Sequence, residues 1–175
     1  NSDSLDDLLE KLKGDLKPTV APMVRLQRWA VDNPEPANVL SMPERPTEIG
    51  PKWADELFSE TTGNELRSAL DEFRPVAVRV PITVRKPDAD PRASFFDIFL
   101  EHCNDHLRPA VIRQGINIAD VRSSQVTEIR SLIVVEDEPL ADMIGDAENP
   151  SHTRLEIGEH LKQRYLAPGT VLTYI

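Results

Sequence analysis

A nine-residue stretch near the middle of the chain, Val76–Val84, alternates apolar side chains with other residues at a period of two. The alternating apolar positions are all β-branched: Val76, Val78, Val80, Ile82 and Val84. Only an extended backbone puts every second residue on one face, so the pattern predicts a β-strand with one buried face. Pro81 lies inside the stretch and cannot donate a backbone hydrogen bond. The strand is therefore expected at a sheet edge, or with a break.

Two further segments predict strands of the same sheet. The proline-bounded loop at residues 87–91 leads into residues 95–101, which predicts an antiparallel hairpin. Residues 129–136 contain a continuous apolar run at 132–135, which is typical of a fully buried strand. Residues 109–118 fit either a helix or a strand. Amphipathic patterns predict helices at residues 52–58, from 63 or 64 to 73, from 139 to an end at Gly145, and at 154–165. Together they predict an α+β fold in which an antiparallel sheet carries helices packed on one face.

The first 74 residues differ in character from the rest. A leucine stripe over residues 4–16 predicts an amphipathic helix whose apolar face needs a partner. Prolines are frequent between residues 17 and 52, which argues against long helices and central strands and leaves only residues 24–31 for a short helix. We therefore predict a helical and proline-rich N-terminal region at 1–74 and an α+β domain at 75–175.

Composition restricts the partners and the compartment. The net charge of −10 argues against an extended nucleic-acid surface, because phosphate neutralisation needs clustered basic residues. One set of basic residues close in sequence is interpreted as a solvated strand face: Arg74, Arg79, Arg85, Lys86 and Arg92. The single cysteine, Cys103, fits a reducing compartment. No apolar run is long enough to span a bilayer and no signal-peptide pattern is present, so we expect a cytoplasmic protein with no membrane partner.

The two ends of the chain resemble cut points. The sequence begins at Asn1 rather than Met, and it stops at Ile175 within an apolar run. A natural C-terminus is expected to be polar and solvated. We therefore interpret the chain as a fragment of a larger protein.

Motifs that bind nucleotides or activate a serine are missing from this sequence. There is no Gly-x-Ser-x-Gly, no Gly-x-Gly-x-x-Gly and no Gly-Lys-Ser/Thr loop, and the chain has only seven glycines. Close backbone approach to phosphate needs such glycines. We therefore assign no catalytic residue and expect no cofactor in this fragment.

The segment at residues 102–106 contains two histidines, a cysteine and an aspartate, which are residue types that bind metal ions. On a helix, His102 and His106 would share one face at a spacing that zinc accepts, with Cys103 between them. No second cluster supplies the remaining ligands. We interpret these histidines as solvated residues and assign no metal ligand.

The densest group of polar residues lies at 136–152, where a buried strand leads into an acidic turn, a short helix and a loop. Asp146, Glu148, Asn149 and His152 are the candidates for a polar contact site that meets a cation or a partner loop. The alternative is an ordered connection, since Asn and Pro fix loop geometry on their own. With Asp137 added, the same region would serve a small metal-dependent hydrolase.

Arg113 stands immediately before Gln114 and Gly115, within an apolar stretch. A guanidinium is always charged, and its planar fork matches phosphate oxygens, so Arg113 is a candidate to reach into a site supplied by another domain. A surface arginine is the alternative.

Three segments, at residues 95–100, 112–116 and 140–153, resemble parts of large uncharacterised bacterial proteins of the GHKL superfamily, the ATPases of gyrase, chaperone, histidine kinase and MutL type. The resemblance covers residues 75–165. It implies that the chain lies C-terminal to an ATPase domain, in the place of the transducer domain, with ATP and Mg²⁺ bound by the intact parent. A transducer offers a basic residue to the nucleotide. No lysine here matches that motif, so Arg113 is the only candidate for a phosphate contact.

These observations favour a non-catalytic regulatory and interaction module of a larger bacterial ATP-binding protein, with the upstream ATPase domain of the same chain as its partner. The first alternative is a small metal-dependent hydrolase that uses the acidic region at 136–152. The second is a dimerisation or scaffold segment, in which the leucine-striped helix at 4–16 pairs two copies as a homodimer.

Overall fold

A computed structural model describes residues 11, 16–41, 49–51, 57–107, 109–118, 126–151 and 154–175. The chain divides into two compact units, Asn1–Pro34 and Glu35–Ile175. This division falls earlier than the boundary predicted after residue 74, because residues 35–74 include elements that pack with the sheet. The predicted helix at residues 4–16 lies, apart from Lys11 and Leu16, outside the described residues.

The first unit contains one long helix, α1, at Leu16–Asp32. The sequence predicted only a short helix at 24–31, and that prediction was wrong because α1 continues through Pro22. Proline removes one backbone donor from a helix interior. The apolar residues Ala21, Leu26 and Ala30 of α1 are buried, and their burial acts against the loss of this bond.

The second unit contains four helices and six strands within the described residues. They are, in chain order, β1 (Asn38–Val39), α2 (Glu60–Asp71), β2 (Val76–Val84), β3 (Arg92–Leu107), β4 (Ala110–Arg113), β5 (Ile116–Ile118), β6 (Val126–Val135), α3 (Glu138–Ala147), α4 (Glu159–Arg164) and α5 (Pro168–Leu172). None of the helices in the described ranges has the length and apolar character needed to cross a bilayer.

The strands form one sheet in the order β1-β2-β3-β6-β4-β5. The pairs β2–β3, β3–β6 and β4–β5 are antiparallel, whereas β1–β2 and β4–β6 are parallel. The predicted α+β class is confirmed, and the predicted antiparallel sheet is correct for most of its pairs. The parallel position of β4 beside β6 is the feature that later brings the candidate site together.

The core lies on the face of the sheet that carries the alternating residues of β2. Val80 and Ile82 are fully buried there, next to Phe96 of β3 and Val135 of β6. Residues from the helices close this face: Leu140, Met143 and Ile144 of α3, Leu161 of α4 and Val171 of α5. The hydrophobic contacts on this face hold α3 against the sheet.

The helix α2 begins and ends through local hydrogen bonds. The Ser59 hydroxyl accepts a bond from the Thr62 amide at 3.1 Å, so the helix starts at Glu60 rather than at the predicted residue 63 or 64. At its end, Phe73 adopts a left-handed conformation with φ 57°. The Arg74 amide donates to the Ala69 carbonyl, and the Phe73 amide donates to the Leu70 carbonyl. These two bonds form a Schellman motif, in which the left-handed residue, here Phe73, is usually glycine.

The strand β3 continues to Leu107, so residues 102–106 are not helical. The expectation that His102 and His106 share a helix face was therefore wrong. In an extended strand, His102 and Cys103 point to opposite faces. The His102 ring stacks on Phe73 with 4.6 Å between ring centroids, which gives this histidine a packing partner.

The region at residues 109–118, which pattern alone left open between helix and strand, is a tight hairpin. Gln114 and Gly115 form its two-residue turn, with φ of 45° and 78°. Two positive φ values are typical of a type I′ turn, whose twist matches that of paired strands. The Gln114 amide also donates to the Val135 carbonyl at 3.0 Å, which ties the turn to β6.

A side chain from a neighbouring strand caps α3. Asp137 precedes the helix but makes no side-chain capping bond of its own. Instead the Ser94 hydroxyl accepts from the Leu140 amide at 3.2 Å and donates to Asp137 Oδ2 at 2.7 Å. The helix then continues to Ala147, past Gly145, where the sequence had predicted its end.

The chain after α3 is less helical than expected. A single helix was predicted at residues 154–165, but α4 covers only Glu159–Arg164. Ala167 then takes a left-handed conformation with φ 50°, and the short α5 begins at Pro168. Tyr165, directly after α4, is buried in the core.

Replacing Ser94 by Ala tests the cross-strand cap. We expect Ser94→Ala to lower the free energy of unfolding by about 1–2 kcal/mol, because the Leu140 amide and Asp137 both lose a buried partner. Urea unfolding followed by circular dichroism measures this change. Ser68→Ala is the matched control, since its hydroxyl bonds an exposed Glu72, and it is expected to cost less than about 0.5 kcal/mol. Equal losses in both variants would contradict the capping role.

Candidate functional site

The structure brings together the two regions that the sequence marked as candidates. Arg113 is the last residue of β4 and is paired in register with Val135 of β6. The chain then passes from β6 into α3, whose C-terminal end carries Asp146 and Glu148. The helix α3 starts beside Ser94 of β3 and ends beside Arg113 of β4. Because β6 lies between β3 and β4, α3 crosses over β6, and Arg113 meets the end of this helix.

Arg113 and Glu148 form a bidentate ion pair. Arg113 Nε donates to Glu148 Oε1 at 2.5 Å, and Nη2 donates to Oε2 at 3.2 Å. The side chains are 11% and 1% exposed, so the pair is shielded from water. In this low-dielectric setting each charge depends strongly on the other. The hydrogen bonds to Glu148 raise the pKa of Arg113 above its ordinary value, although burial acts in the opposite direction.

Gly145 provides the surface on which the guanidinium lies. A Cβ at this position would be 3.4 Å from Arg113 Cζ and 3.5 Å from Nη1. Glycine is unfavourable inside a helix. An added Cβ would lie at ordinary van der Waals distance from the guanidinium, so Arg113 passes close to Gly145 without requiring a glycine there. Arg113 Nη1 also donates to the Gln114 side chain at 3.3 Å.

Asp146 binds the C-terminal segment. The Tyr165 hydroxyl donates to Asp146 Oδ2 at 2.6 Å, and Arg164 Nη1 donates to Oδ1 at 2.7 Å. Burial, together with the hydrogen bond to Asp146, raises the pKa of the Tyr165 phenol well above its ordinary value. Lys86 Nζ lies 5.2 Å from the centre of the Tyr165 ring, at cation–π distance.

Asn149 orders the loop that follows α3. The backbone N–H of Asn149 donates to the Arg154 carbonyl at 3.0 Å. The side-chain oxygen Oδ1 of Asn149 accepts from the backbone N–H of Arg154 at 3.3 Å. The Glu156 amide donates to the Ala147 carbonyl at 2.7 Å, and Glu148 and Leu155 form an isolated antiparallel bridge. His152, the fourth candidate, lies outside the described residues.

The acidic residues of the hydrolase alternative have different protein partners. Asp137 accepts from Ser94, Asp146 accepts from Tyr165 and Arg164, and Glu148 accepts from Arg113. In the described part of the chain, no three His, Cys, Asp or Glu side chains lie close enough together to hold a metal ion. The arrangement is that of an internally neutralised polar junction between a hairpin, a helix end and the C-terminal segment.

Sequence reasoning missed a second ion pair, on the opposite face of the sheet. Arg79 Nε and Nη2 each donate to Asp97 at 2.8 Å, and the Arg79 guanidinium lies 3.8 Å from the centre of the Phe95 ring. The bonds to Asp97 raise the pKa of Arg79. Arg79 was grouped with solvated basic residues, and that interpretation was wrong for this side chain. Its cross-strand position opposite Asp97 becomes visible only once the hairpin register is known.

Comparisons with known proteins leave the chain without an assigned family. No family model matches it, and no match was found among curated proteins or among solved structures.

Breaking the Arg113–Glu148 pair from one side should be costly. We expect Arg113→Met to lower the free energy of unfolding by about 3–5 kcal/mol, since the buried Glu148 carboxylate loses its guanidinium. Urea unfolding at neutral pH measures the change. In the double variant with Glu148→Leu, both charges are removed, and most of this loss should be recovered. A double variant no more stable than the single one would contradict this electrostatic account.

The Tyr165 phenol should make stability sensitive to alkaline pH. Its folded-state pKa is raised above the ordinary 10.0, so the unfolded chain releases this proton first as the pH rises. Stability is therefore fully present below about pH 10 and falls above it, by up to about 1.4 kcal/mol per pH unit. Tyr165→Phe removes this contribution. Urea unfolding of both proteins between about pH 8 and 11 should show their difference shrinking; a constant difference would contradict the assignment.

Proposed function

We propose that this chain is a non-catalytic regulatory and interaction module of a larger bacterial ATP-binding protein. The observation that supports this most directly is the internal pairing of the candidate site. Arg113, Asp146 and Glu148 are hydrogen-bonded to protein groups rather than converging on an open cleft. A catalytic or metal site needs some of these groups available to a substrate or ion, whereas a coupling element needs them bonded to each other.

The ATP-binding parent is supported by the resemblance in residues 75–165. In such a parent, ATP and Mg²⁺ bind to the upstream ATPase domain, and this chain supplies the neighbouring surface. Arg113 donates two of its hydrogen bonds to Glu148, so a phosphate can bind the same fork only when that pair opens. On this Nε–Nη2 edge the ion pair and a phosphate contact exclude each other, whereas Nη1, which donates to Gln114, is not engaged by Glu148.

The first test uses the chain alone. Thermal melting with added Mg²⁺, Zn²⁺ or Mg-ATP should leave the midpoint unchanged within about 1 °C, because a ligand stabilises only a protein that binds it. A midpoint that rises with the metal concentration would contradict the proposal and favour the hydrolase that uses residues 136–152. Sedimentation of the chain with and without residues 1–16 tests the dimerisation alternative in the same preparation.

The second test uses the parent protein. We expect Arg113→Lys to change the ATPase rate by about fivefold or more, because a single ammonium cannot reproduce the paired donors of the guanidinium. Arg92→Lys is the matched control, since Arg92 forms an exposed pair with Glu138 at the other end of α3. It should leave the rate within about twofold of the wild type. Equal ATPase rates in the wild type, Arg113→Lys and Arg92→Lys would contradict the regulatory assignment.

A further inference from the structure

The last turn of α3, residues 145–148, binds two elements that come from different parts of the chain. One is the hairpin formed by β4 and β5, and the other is the C-terminal segment at residues 154–166. We propose that this turn is a relay: loosening of the hairpin loosens the C-terminal segment, and the reverse. A protein partner that binds the hairpin would then alter the C-terminal segment without touching it.

The hairpin is attached through Arg113. Its guanidinium donates twice to Glu148 and passes close to Gly145, so it lies beside two residues of the same helical turn. The Glu148 side chain is 1% exposed, which leaves water little access to replace these bonds. If the hairpin moves away from α3, the buried Glu148 carboxylate in this turn therefore loses its guanidinium partner.

The C-terminal segment is attached to the same turn through both side chains and backbone. Asp146 accepts from Tyr165 at 2.6 Å, and the Ala147 carbonyl accepts from the Glu156 amide at 2.7 Å. Asp146 and Glu148 are separated by one residue. A change in the backbone of this turn therefore displaces both attachment points together.

The turn has features of an element with two arrangements. Gly145 weakens the helix at the point where both attachments are made, because glycine is the least favourable residue there apart from proline. The Glu148 amide donates to both the Ile144 and Gly145 carbonyls, at 3.0 and 3.3 Å. This shared bond lies between α-helical and 3₁₀ closure, and such ends change pattern at low cost. Both attached elements bias the same equilibrium, which is the physical requirement for coupling.

The relay would let the proposed regulatory module pass a change from one element to another. Only its biological role depends on the proposed function. It is a property of the chain itself and is measurable without ATP or a partner. Failure of the relay would leave the ATPase test with Arg113→Lys unaffected, and failure of that test would leave the relay intact.

Native-state hydrogen exchange of the chain tests the relay. We expect Tyr165→Phe, which removes the donor to Asp146, to speed exchange of the Gln114 amide and of the amides at 116–118 by about tenfold. The variant is conservative in shape, so it should fold. Glu148→Gln probes the opposite direction and should speed exchange of the Tyr165 and Leu166 amides by a similar factor, because coupling between two elements is reciprocal.

Two references separate the relay from a general loss of stability. Arg92→Gln removes the ion pair with Glu138 at the far end of α3 and should leave both regions within about twofold of the wild type. Amides of the central pair β2–β3, such as that of Val80, report global unfolding and should change less than the two coupled regions.

Three outcomes would overturn the relay. In the first, Tyr165→Phe affects only residues 154–166. In the second, Arg92→Gln speeds exchange in both regions as much as Tyr165→Phe does. In the third, exchange rises equally everywhere, the Val80 amide included, which would show that the variant lowers global stability and that no local coupling exists.

Discussion

The bidentate pair between Arg113 and Glu148 determines how the polar end of the second unit is arranged. Its two bonds join a strand end to a helix end in surroundings where neither charge is well hydrated. A lone charge at this place would be expensive, so each residue requires the other. The same guanidinium passes close to Gly145, where an added Cβ would lie 3.4 Å from Arg113 Cζ. The bonds of Asp146 to Tyr165 and Arg164 then complete the neutralisation.

Much of the fold was predictable from periodicity. The alternation at 76–84 and the apolar run at 132–135 each predicted a strand, and they form β2 and β6. The expectation that β2 has only one buried face was wrong, because Ala77 and Thr83 on its other face are buried as well. The candidate residues Arg113, Asp146 and Glu148 were also identifiable from their types. Their pairing was not, because Arg113 and Glu148 are 35 positions apart and meet only through the parallel placement of β4 beside β6.

Other features escaped sequence reasoning because tertiary contacts override local preference. Proline ordinarily ends a helix, yet α1 continues through Pro22. Gln114 has a positive φ, a conformation that sequence methods expect of Asn or Gly, and so the hairpin at 110–118 was not identified. The capping group of α3 comes from Ser94, 46 residues before the amide it binds. For the turn and the cap, the bonded partner is distant in sequence: the Gln114 amide donates to Val135, and the Leu140 amide to Ser94.

The strand order has a consequence for self-association. Exposed sheet edges carry unpaired amide and carbonyl groups, and long, flat edges template pairing between molecules. Here the outermost strands, β1 and β5, are two and three residues long, and the long strand β3 lies inside the sheet between β2 and β6. Where β2 extends beyond β1, Pro81 offers no donor. Among the described strands, the longest one, β3, is therefore paired on both sides, and the two outermost strands are the shortest.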